Sequence, residues 1–580
     1  MARAARRALV LALALALLTP VSALAHAQLE GTSPERGAIV KHEPGAVIFR
    51  FDEPVEGNFG AVRVYDANGD RADEGDAFHP NGEGPRLGVH LKPGLADGSY
   101  TATYRVVSAD GHIVSSGYVF SIGKAGKAPK ETVSQLTAGS GSGPITETAF
   151  GLARGLQYTA IALAVGGLAF LLLAWLPGLA LVEGEGESWS RASRAFAGRL
   201  RLVALLAATL GAISAAAGIV LEGAEAAGVS GFSALKETIV RETLATKFGT
   251  IWAFAFLAWI AFGLLGAVAY RPSSSRSFGW MRALLLALPL AFLVATPALA
   301  GHGSTQSPVA LMFPTNVIHV AAMAVWLGGL ATLLFVAPRG TRELEPGERG
   351  RLLAAALSRF SQVALVSVGA ILLTGLIQAY VYVRHLDALI ETGYGRAVLI
   401  KFCLLMVLIG IGAYNRRNSV PRLNRIAAGG EAPGRAGLLL RRALRAEVAL
   451  LVVVLGVTAA LASYAPPITA QSGPFSAEST FGPIQLEMSV EPARVGANEI
   501  HIYLFDAKSG APYAKVKQLE VTAALPDKGI SLPLEPQLAG PGHYTIPGAL
   551  LNASGEWQLG ITVRVSAFDQ FTQKVEVPVR

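Results

Sequence analysis

Cysteine is nearly absent from this sequence of 580 residues, and the single one, Cys403, lies inside an apolar run. A single thiol excludes an intrachain disulfide and a thiolate metal cluster. We therefore predict that Cys403 is a small buried apolar residue. Any metal site must use histidine, methionine, carboxylate or the N-terminus as ligands.

Charged residues are also scarce, at 16% of the sequence against 52% hydrophobic residues. This composition is too apolar for a soluble chain of this length, and it predicts a membrane protein with more than one domain. The net charge of +8 does not indicate nucleic-acid binding, because the arginines lie in short loops between apolar runs. Basic residues in such loops set the orientation of membrane helices.

Motifs of several enzyme classes are missing. The sequence has no glycine-rich phosphate-binding loop with its Lys and Ser/Thr, which argues against an ATP-driven pump. It shows no Ser/His/Asp or paired-carboxylate arrangement either. We therefore predict that the protein is not an enzyme.

Residues 150–466 contain apolar runs that are long enough to span a bilayer. The eight runs lie near 152–182, 198–222, 247–270, 281–300, 313–337, 361–383, 395–414 and 446–464. Arginine and lysine are concentrated in the loops after the first, third, fifth and seventh runs, which predicts that these loops are cytoplasmic. An eight-helix transmembrane bundle in the plasma membrane follows, surrounded by lipid, with both terminal domains outside.

The start of the sequence has the order of an exported protein. An arginine-rich segment is followed by a short apolar run and the small-x-small motif Ala23-Leu24-Ala25. Cleavage after Ala25 would remove residues 1–25 and make His26 the first residue of the mature chain. An N-terminal histidine offers its amine and its imidazole to one metal ion, and copper(II) suits these ligands. An uncleaved anchor helix is the alternative.

Residues 26–123 predict an all-β domain, followed by a polar linker over 124–149. Near the end of this domain Asp110 and His112 are two residues apart, and on an extended strand both side chains would lie on one face. With His26 they would supply three nitrogens and one oxygen, which matches the tetragonal preference of copper(II). Taken alone, the two residues are also compatible with a turn-capping aspartate and a surface histidine.

The segments HAQLEGTSPERGAIV, FRFDEPVEGNFGAVRVYDANG and YTATYRVVSADGHIVSSGYVFSIG resemble the CopC copper-binding domain. The resemblance implies a cupredoxin-like β-sandwich with His26, Asp110 and His112 as the copper(II) ligands. The methionine-rich copper(I) site of some family members is not expected, because residues 26–123 contain no methionine. Histidine-brace copper oxygenases also use an N-terminal histidine, but Asp110 would fill the position that oxygen needs.

The fifth apolar run carries candidate copper ligands on one helix face. Asn316, His319 and Met323 fall at i, i+3 and i+7, and His302 lies just before them on the adjacent outer loop. Imidazole and thioether suit copper(I), whereas a helix-packing histidine with methionine as filler is the alternative. NVIHVAAMAVWLGGL and other segments over 301–467 resemble the CopD membrane family, which also occurs fused to CopC.

Residues 473–580 return to short alternating runs and predict a small β-sandwich. The stretch PGHYTIPGALLNASGEWQLGITVRV loosely resembles the YtkA-like or FixH-like domains. In this region His501, His543 and Met488 are either metal ligands or ordinary strand and turn residues.

Together these features predict a multidomain membrane protein for copper uptake, homeostasis and resistance. The N-terminal domain is expected to capture copper(II) outside, and the helices are expected to pass copper inward, as copper(I) if the membrane ligands select it. Copper chaperones or a reductase are the expected partners, and nucleic acid is not. The alternatives are a membrane-anchored copper buffer or sensor without conduction, and a histidine-brace copper oxygenase.

Overall fold

The computed structural model describes residues 27, 29–35, 38–109, 111, 113–124, 142–182, 186–271, 278–383, 386, 388–429, 434–461, 475–491, 493–508, 512–513, 515–540 and 542–579. They fall into two compact units. The helical unit lies between residues 143 and 468, apart from 224–230. The β unit contains the described residues before 143 and after 468, together with 224–230.

The N-terminal part of the β unit has two sheets. Its strands are β1 (Leu29–Ser33), β2 (Ile39–Val40), β3 (Ala46–Phe51), β4 (Val55–Glu56), β5 (Val62–Tyr65), β6 (Arg86–His90), β7 (Gly98–Ser108) and β8 (Ile113–Ile122). One sheet has the order β1-β3-β6 and the other β2-β8-β7-β4, with β5 also paired to β7. Phe49 and Phe51 of β3 are buried while Arg50 between them is exposed, the alternation that a strand produces. Apolar residues of both sheets share one core, which confirms the predicted β domain.

The C-terminal part of the β unit also has two sheets. Its strands are β9 (Phe475–Phe481), β10 (Ile484–Glu491), β11 (Gly496–Asp506), β12 (Gln518–Leu525), β13 (Ile530–Leu534), β14 (Gln537–Gly540), β15 (His543–Leu551), β16 (Gly555–Arg564) and β17 (Gln570–Val579). The sheet orders are β14-β15-β11-β10-β9 and β13-β12-β16-β17. Trp557 is fully buried in the apolar core between them. The strand-rich character expected of this region is confirmed.

The helical unit consists mainly of long apolar helices. The helices are α1 (Pro144–Val182), α2 (Glu187–Ala227), α3 (Glu237–Ala245), α4 (Lys247–Ala269), α5 (Trp280–Leu299), α6 (Val309–Gly340), α7 (Pro346–Val383), α8 (Ala388–Glu391), α9 (Gly393–Ala428) and α10 (Gly434–Leu461). Within the described residues, α1, α2, α4, α5, α6, α7 and α9 are long and apolar enough to cross a membrane. These seven match the first seven predicted spans. Helix α10 covers the eighth up to Leu461, and residues 462–464 lie outside the described residues.

The position of Cys403 differs from the prediction. The residue is exposed on helix α9 instead of being buried. Only 11% of the most apolar window of α9 is buried inside the protein. A helix at the edge of a bundle presents much of its apolar surface outward, and in a spanning helix lipid would cover that surface. An apolar sequence context therefore predicted the surroundings of Cys403 correctly but not its burial in protein.

Small residues allow helices α1 and α6 to approach closely. A Cβ added to Gly328 would collide with the backbone carbonyl of Ala162, and one added to Gly166 would collide with the backbone at Gly328. The glycine pairs in the segments VGGLA and WLGGLA are therefore contact points between helices. This contact fixes the position of α6, which carries the candidate copper ligands.

Gly328→Ala should lower the stability of the helical unit by about 1–3 kcal/mol, because the added methyl group overlaps backbone atoms that cannot rotate away. The thermal unfolding midpoint of the detergent-solubilised protein measures this effect. Gly369→Ala in α7 is the matched control, since a Cβ at Gly369 meets no atom within 4 Å. Equal melting temperatures for the two variants would contradict the close helix contact.

Candidate copper sites

The proposed external copper ligands His26, Asp110 and His112 lie outside the described residues. Their neighbours show how this part of the domain is built. Strands β7 and β8 pair up to Val107 and Ile113. Gly111 has φ +88 and its amide donates to the Ser108 carbonyl at 2.9 Å, which defines a turn at Gly111. The copper(II) ligand set of His26, Asp110 and His112 stays a prediction.

Strand pairing places the start of β1 and the β7–β8 turn at the same end of the domain. Leu29 pairs with Phe51, and Val55, four residues further along, pairs with Ser108. Ala27 is buried in the same apolar core. The start of β1 and the end of β7 are therefore linked through β3 and β4.

In the helical unit, His302 and Asn316 lie close to a residue that sequence reasoning did not identify, Tyr382 on α7. The Asn316 side-chain amide lies 3.5 Å from the Tyr382 hydroxyl and donates to the Met312 carbonyl at 3.2 Å. The rings of His302 and Tyr382 have their centres 6.0 Å apart. A Cβ at Gly303 would lie 3.2 Å from the Asn316 amide nitrogen, so His302 is carried on a turn that passes directly over Asn316.

His319 lies one helical turn further along α6 and contacts Thr374 of α7. Its Nδ1 is 2.9 Å from the Thr374 hydroxyl oxygen. That hydroxyl donates its own proton to the Ala370 carbonyl at 2.6 Å, so it accepts the Nδ1 proton of His319. The Nε2 lone pair of His319 is then left to bind a metal. A hydrogen bond that fixes the tautomer in this way is typical of metal-ligating histidines.

Met323 lies one further turn along the same face, partly buried against the main apolar core. The predicted ligands therefore form a series at successive helical turns, about 5 Å apart along the axis, and do not converge on one point. Among the described residues, no three His, Cys, Asp or Glu side chains form a group that could hold a metal ion. Such a series fits an ion that passes from donor to donor better than a closed storage site.

Two other ionisable residues of the helical unit have identified surroundings. Glu447 on α10 is buried, at 4% exposure, and accepts a hydrogen bond of 2.7 Å from the Asn415 amide. Lys401 on α9 lies close enough to His319 for an electrostatic interaction.

The three candidate residues of the C-terminal domain separate onto two faces of one sheet. Met488 alternates with Ile484, Leu486 and Val490 on the core face of β10. His501 on β11 and His543 on β15 lie on the opposite face, with His501 Nδ1 and His543 Nε2 3.2 Å apart. Met488 therefore cannot join the two histidines, which favours the alternative of an ordinary core residue for Met488. The alternation of apolar residues along β10 already indicates that Met488 faces the core.

Family models match three regions of the chain. The CopC domain matches residues 29–123, the copper resistance protein D-like N-terminal domain matches 145–312, and copper resistance protein D matches 354–461. The chain belongs to the CopC–CopD copper resistance family. Asn316, His319 and Met323 lie between the second and third matches, in the segment that joins the two parts of the CopD region.

Individual proteins are similar to the whole of this CopC–CopD chain or to a part of it. The copper transport protein CutJ of Bacillus subtilis is 29% identical over 87% of this chain and 86% of its own length. Protein YobA of Escherichia coli is 34% identical over 21% of this chain and 96% of its own. The crystal structure of CopC from Methylosinus trichosporium OB3b is 32% identical, with a TM-score of 0.16, over 18% of this chain and 98% of its own. This protein is accordingly a multi-pass membrane protein of copper handling.

Proposed function

We propose that this CopC–CopD protein imports copper across the bacterial plasma membrane and is not an enzyme. His26, Asp110 and His112 hold copper(II) outside, and the residues of the series His302, Asn316, His319 and Met323 carry the ion inward. The arginine-rich loops between alternate apolar runs support an orientation with the N-terminal and C-terminal domains outside the cytosol. A reductase or a copper chaperone outside would act before the membrane step if that step requires copper(I).

The observation that carries the proposal is the tautomer of His319 within a candidate membrane span. Thr374 holds the Nδ1 proton, and this leaves Nε2 as a donor on the face that also bears Asn316 and Met323. Polar side chains inside a membrane span are costly, and they usually face a bundle interior or a cavity where they act on an ion. A helix-packing histidine needs one partner only, and it needs no aligned donors one turn away on either side.

The similarity to CutJ supports transport over simple storage. That relative is described as a copper transport protein, and the similarity extends over 87% of this chain. A membrane-anchored buffer or sensor would need copper retention in the extracytoplasmic domains only. It would give no reason for a series of donors through a helix.

Transport is tested with the purified protein in proteoliposomes that enclose a copper(I) indicator. External copper is added with and without a reductant, and an importer should raise the internal signal above that of protein-free liposomes. Faster signal with the reductant would identify copper(I) as the ion that crosses. Copper that binds to the proteoliposomes without any internal signal would overturn import and favour a buffer or sensor. Oxygen consumption by the copper-loaded protein with reductant would instead indicate the oxygenase.

A further inference from the structure

The outward face of strand β11 carries polar side chains that are nevertheless buried. Glu499, His501 and Tyr503 are 3%, 2% and 6% exposed, although they alternate with the core residues of the same strand. Glu491 lies opposite Glu499 in the register of β10 and β11 and therefore shares this face. It accepts hydrogen bonds from the N-terminal domain, from the Tyr104 hydroxyl at 3.1 Å and the Ser116 hydroxyl at 2.6 Å. The CopC domain therefore covers this face within the β unit.

Two imidazole rings meet on this face. His501 Nδ1 and His543 Nε2 are 3.2 Å apart, and the rings are nearly parallel, with an interplanar angle of 16°. His543 is 1% exposed and stacks on Tyr503 with ring centres 4.1 Å apart. On the far side, His501 Nε2 lies 3.2 Å from a carboxylate oxygen of Glu499. Among the described residues, His543 Nδ1 has no hydrogen-bond partner.

His501 Nε2 lies at an ion-pair distance from the Glu499 carboxylate, 3.2 Å, without the geometry of a hydrogen bond. The negative charge favours a proton on Nε2, which leaves the lone pair of His501 on Nδ1, next to His543. Burial first, and the neighbouring His501 second, hold the pKa of His543 well below its ordinary value, so this ring is neutral. Two neutral imidazoles can share one proton, or they can present two lone pairs to a cation. Carboxylate, histidine and metal in this order are a common arrangement at protein metal sites.

We infer that His501 and His543 form a copper(I) site, with His501 Nδ1 and His543 Nε2 as ligands and Glu499 as the residue that orients His501. Metal–imidazole bonds are about 2 Å long, so a near-linear two-coordinate ion needs its two nitrogens about 4 Å apart, and the rings would have to separate by less than about 1 Å from the 3.2 Å in the structure. The site uses none of the residues proposed for the external copper(II) site or for the series on α6. It therefore goes beyond the proposed import function and does not depend on it.

Coordination number favours copper(I) over divalent ions. Zinc and copper(II) usually take four ligands, whereas a d¹⁰ copper(I) ion is stable with two nitrogen donors. The described residues offer no group of three His, Cys, Asp or Glu side chains that could hold a metal. Burial of both rings also protects copper(I) from water.

The test is a copper(I) titration of the full-length protein in detergent under reductant, with a competing copper(I) chelator. His543→Asn and His501→Asn should each bind one copper(I) fewer per chain than the wild type. Glu499→Gln should keep the stoichiometry and weaken this site by about 10–100-fold, as expected for a partner that orients a ligand. His42→Asn is the matched control, because His42 is exposed and lies in the CopC domain.

Unchanged copper(I) stoichiometry in both histidine variants would overturn the site. Substitution of a buried histidine can unfold the domain and so remove copper binding indirectly. A second measurement therefore follows copper(I) binding to the wild-type protein itself. In wild-type protein with ¹⁵N-labelled histidine, the imidazole resonances of His501 and His543 are identified by their absence from the spectra of His501→Asn and His543→Asn. Addition of copper(I) should shift these resonances in the wild type. Unshifted resonances would exclude binding. If the wild-type protein binds copper(I) at this site but shows no import in proteoliposomes, only the proposed function is refuted.

Discussion

Replacing His26 with alanine should lower the copper(II) affinity of the mature protein by on the order of 100-fold or more and abolish its tetragonal EPR spectrum. Removing a residue that only orients a metal ligand lowers the metal affinity by about 10–100-fold. His26 would supply ligands itself, so its removal should lower the affinity at least as much. The substitution removes the imidazole and leaves a flexible amine, so the remaining donors no longer chelate in one plane. Copper(II) titration followed by EPR and d–d absorbance measures the loss.

His42→Ala is the control for this experiment, because His42 is exposed and belongs to the same domain. Its spectrum and affinity should equal those of the wild type. Mass spectrometry of the mature wild-type chain is needed alongside, since any residue ahead of His26 would convert the amine to a peptide nitrogen. A tetragonal spectrum that survives in His26→Ala would contradict the proposed ligand set.

Long apolar runs made the helices predictable from sequence, because a membrane span needs about 20 apolar residues whatever it contacts. The structure extends several predicted spans at one end. Helix α7 begins at Pro346, well before the predicted 361–383, because polar residues can continue a helix beyond its apolar part. Hydropathy detects the apolar part of a helix only.

The partners of the predicted ligands were not predictable in the same way. Thr374 and Tyr382 lie more than 50 residues after His319 and Asn316, in a helix whose sequence gives no sign of a site. Helix packing brings them together, and one sequence does not specify which faces meet. The pair His501 and His543 was equally hidden, because β11 and β15 are neighbours in the sheet but not in the chain.

Glycine has different roles in two parts of the chain. Gly111 has the positive φ that a turn requires, which glycine adopts readily. The glycine pairs of α1 and α6 are close contacts between helices, because residues without a side chain let two backbones approach.

His319→Ala should abolish copper transport into proteoliposomes while leaving copper(II) binding by the external domain unchanged. The variant removes the Nε2 donor from the middle of the series on α6, and an ion would have to pass from Asn316 to Met323 across about two helical turns without a ligand. Initial transport rate and external copper(II) affinity are measured on the same preparation. Retained transport in this variant would exclude the α6 series as the route of the ion.

Thr374→Val separates a ligand role of His319 from simple packing. Valine keeps the volume of threonine but cannot accept the Nδ1 proton, so His319 loses the partner that fixes its tautomer. We expect transport to fall by about 10–100-fold. Thr332→Val on α6 is the matched control, because this buried threonine donates only to the Gly328 carbonyl, at 2.8 Å. If His319 only packs between helices, Thr374→Val and Thr332→Val should lower the transport rate equally little. If His319 is a copper ligand, only Thr374→Val should lower the transport rate strongly.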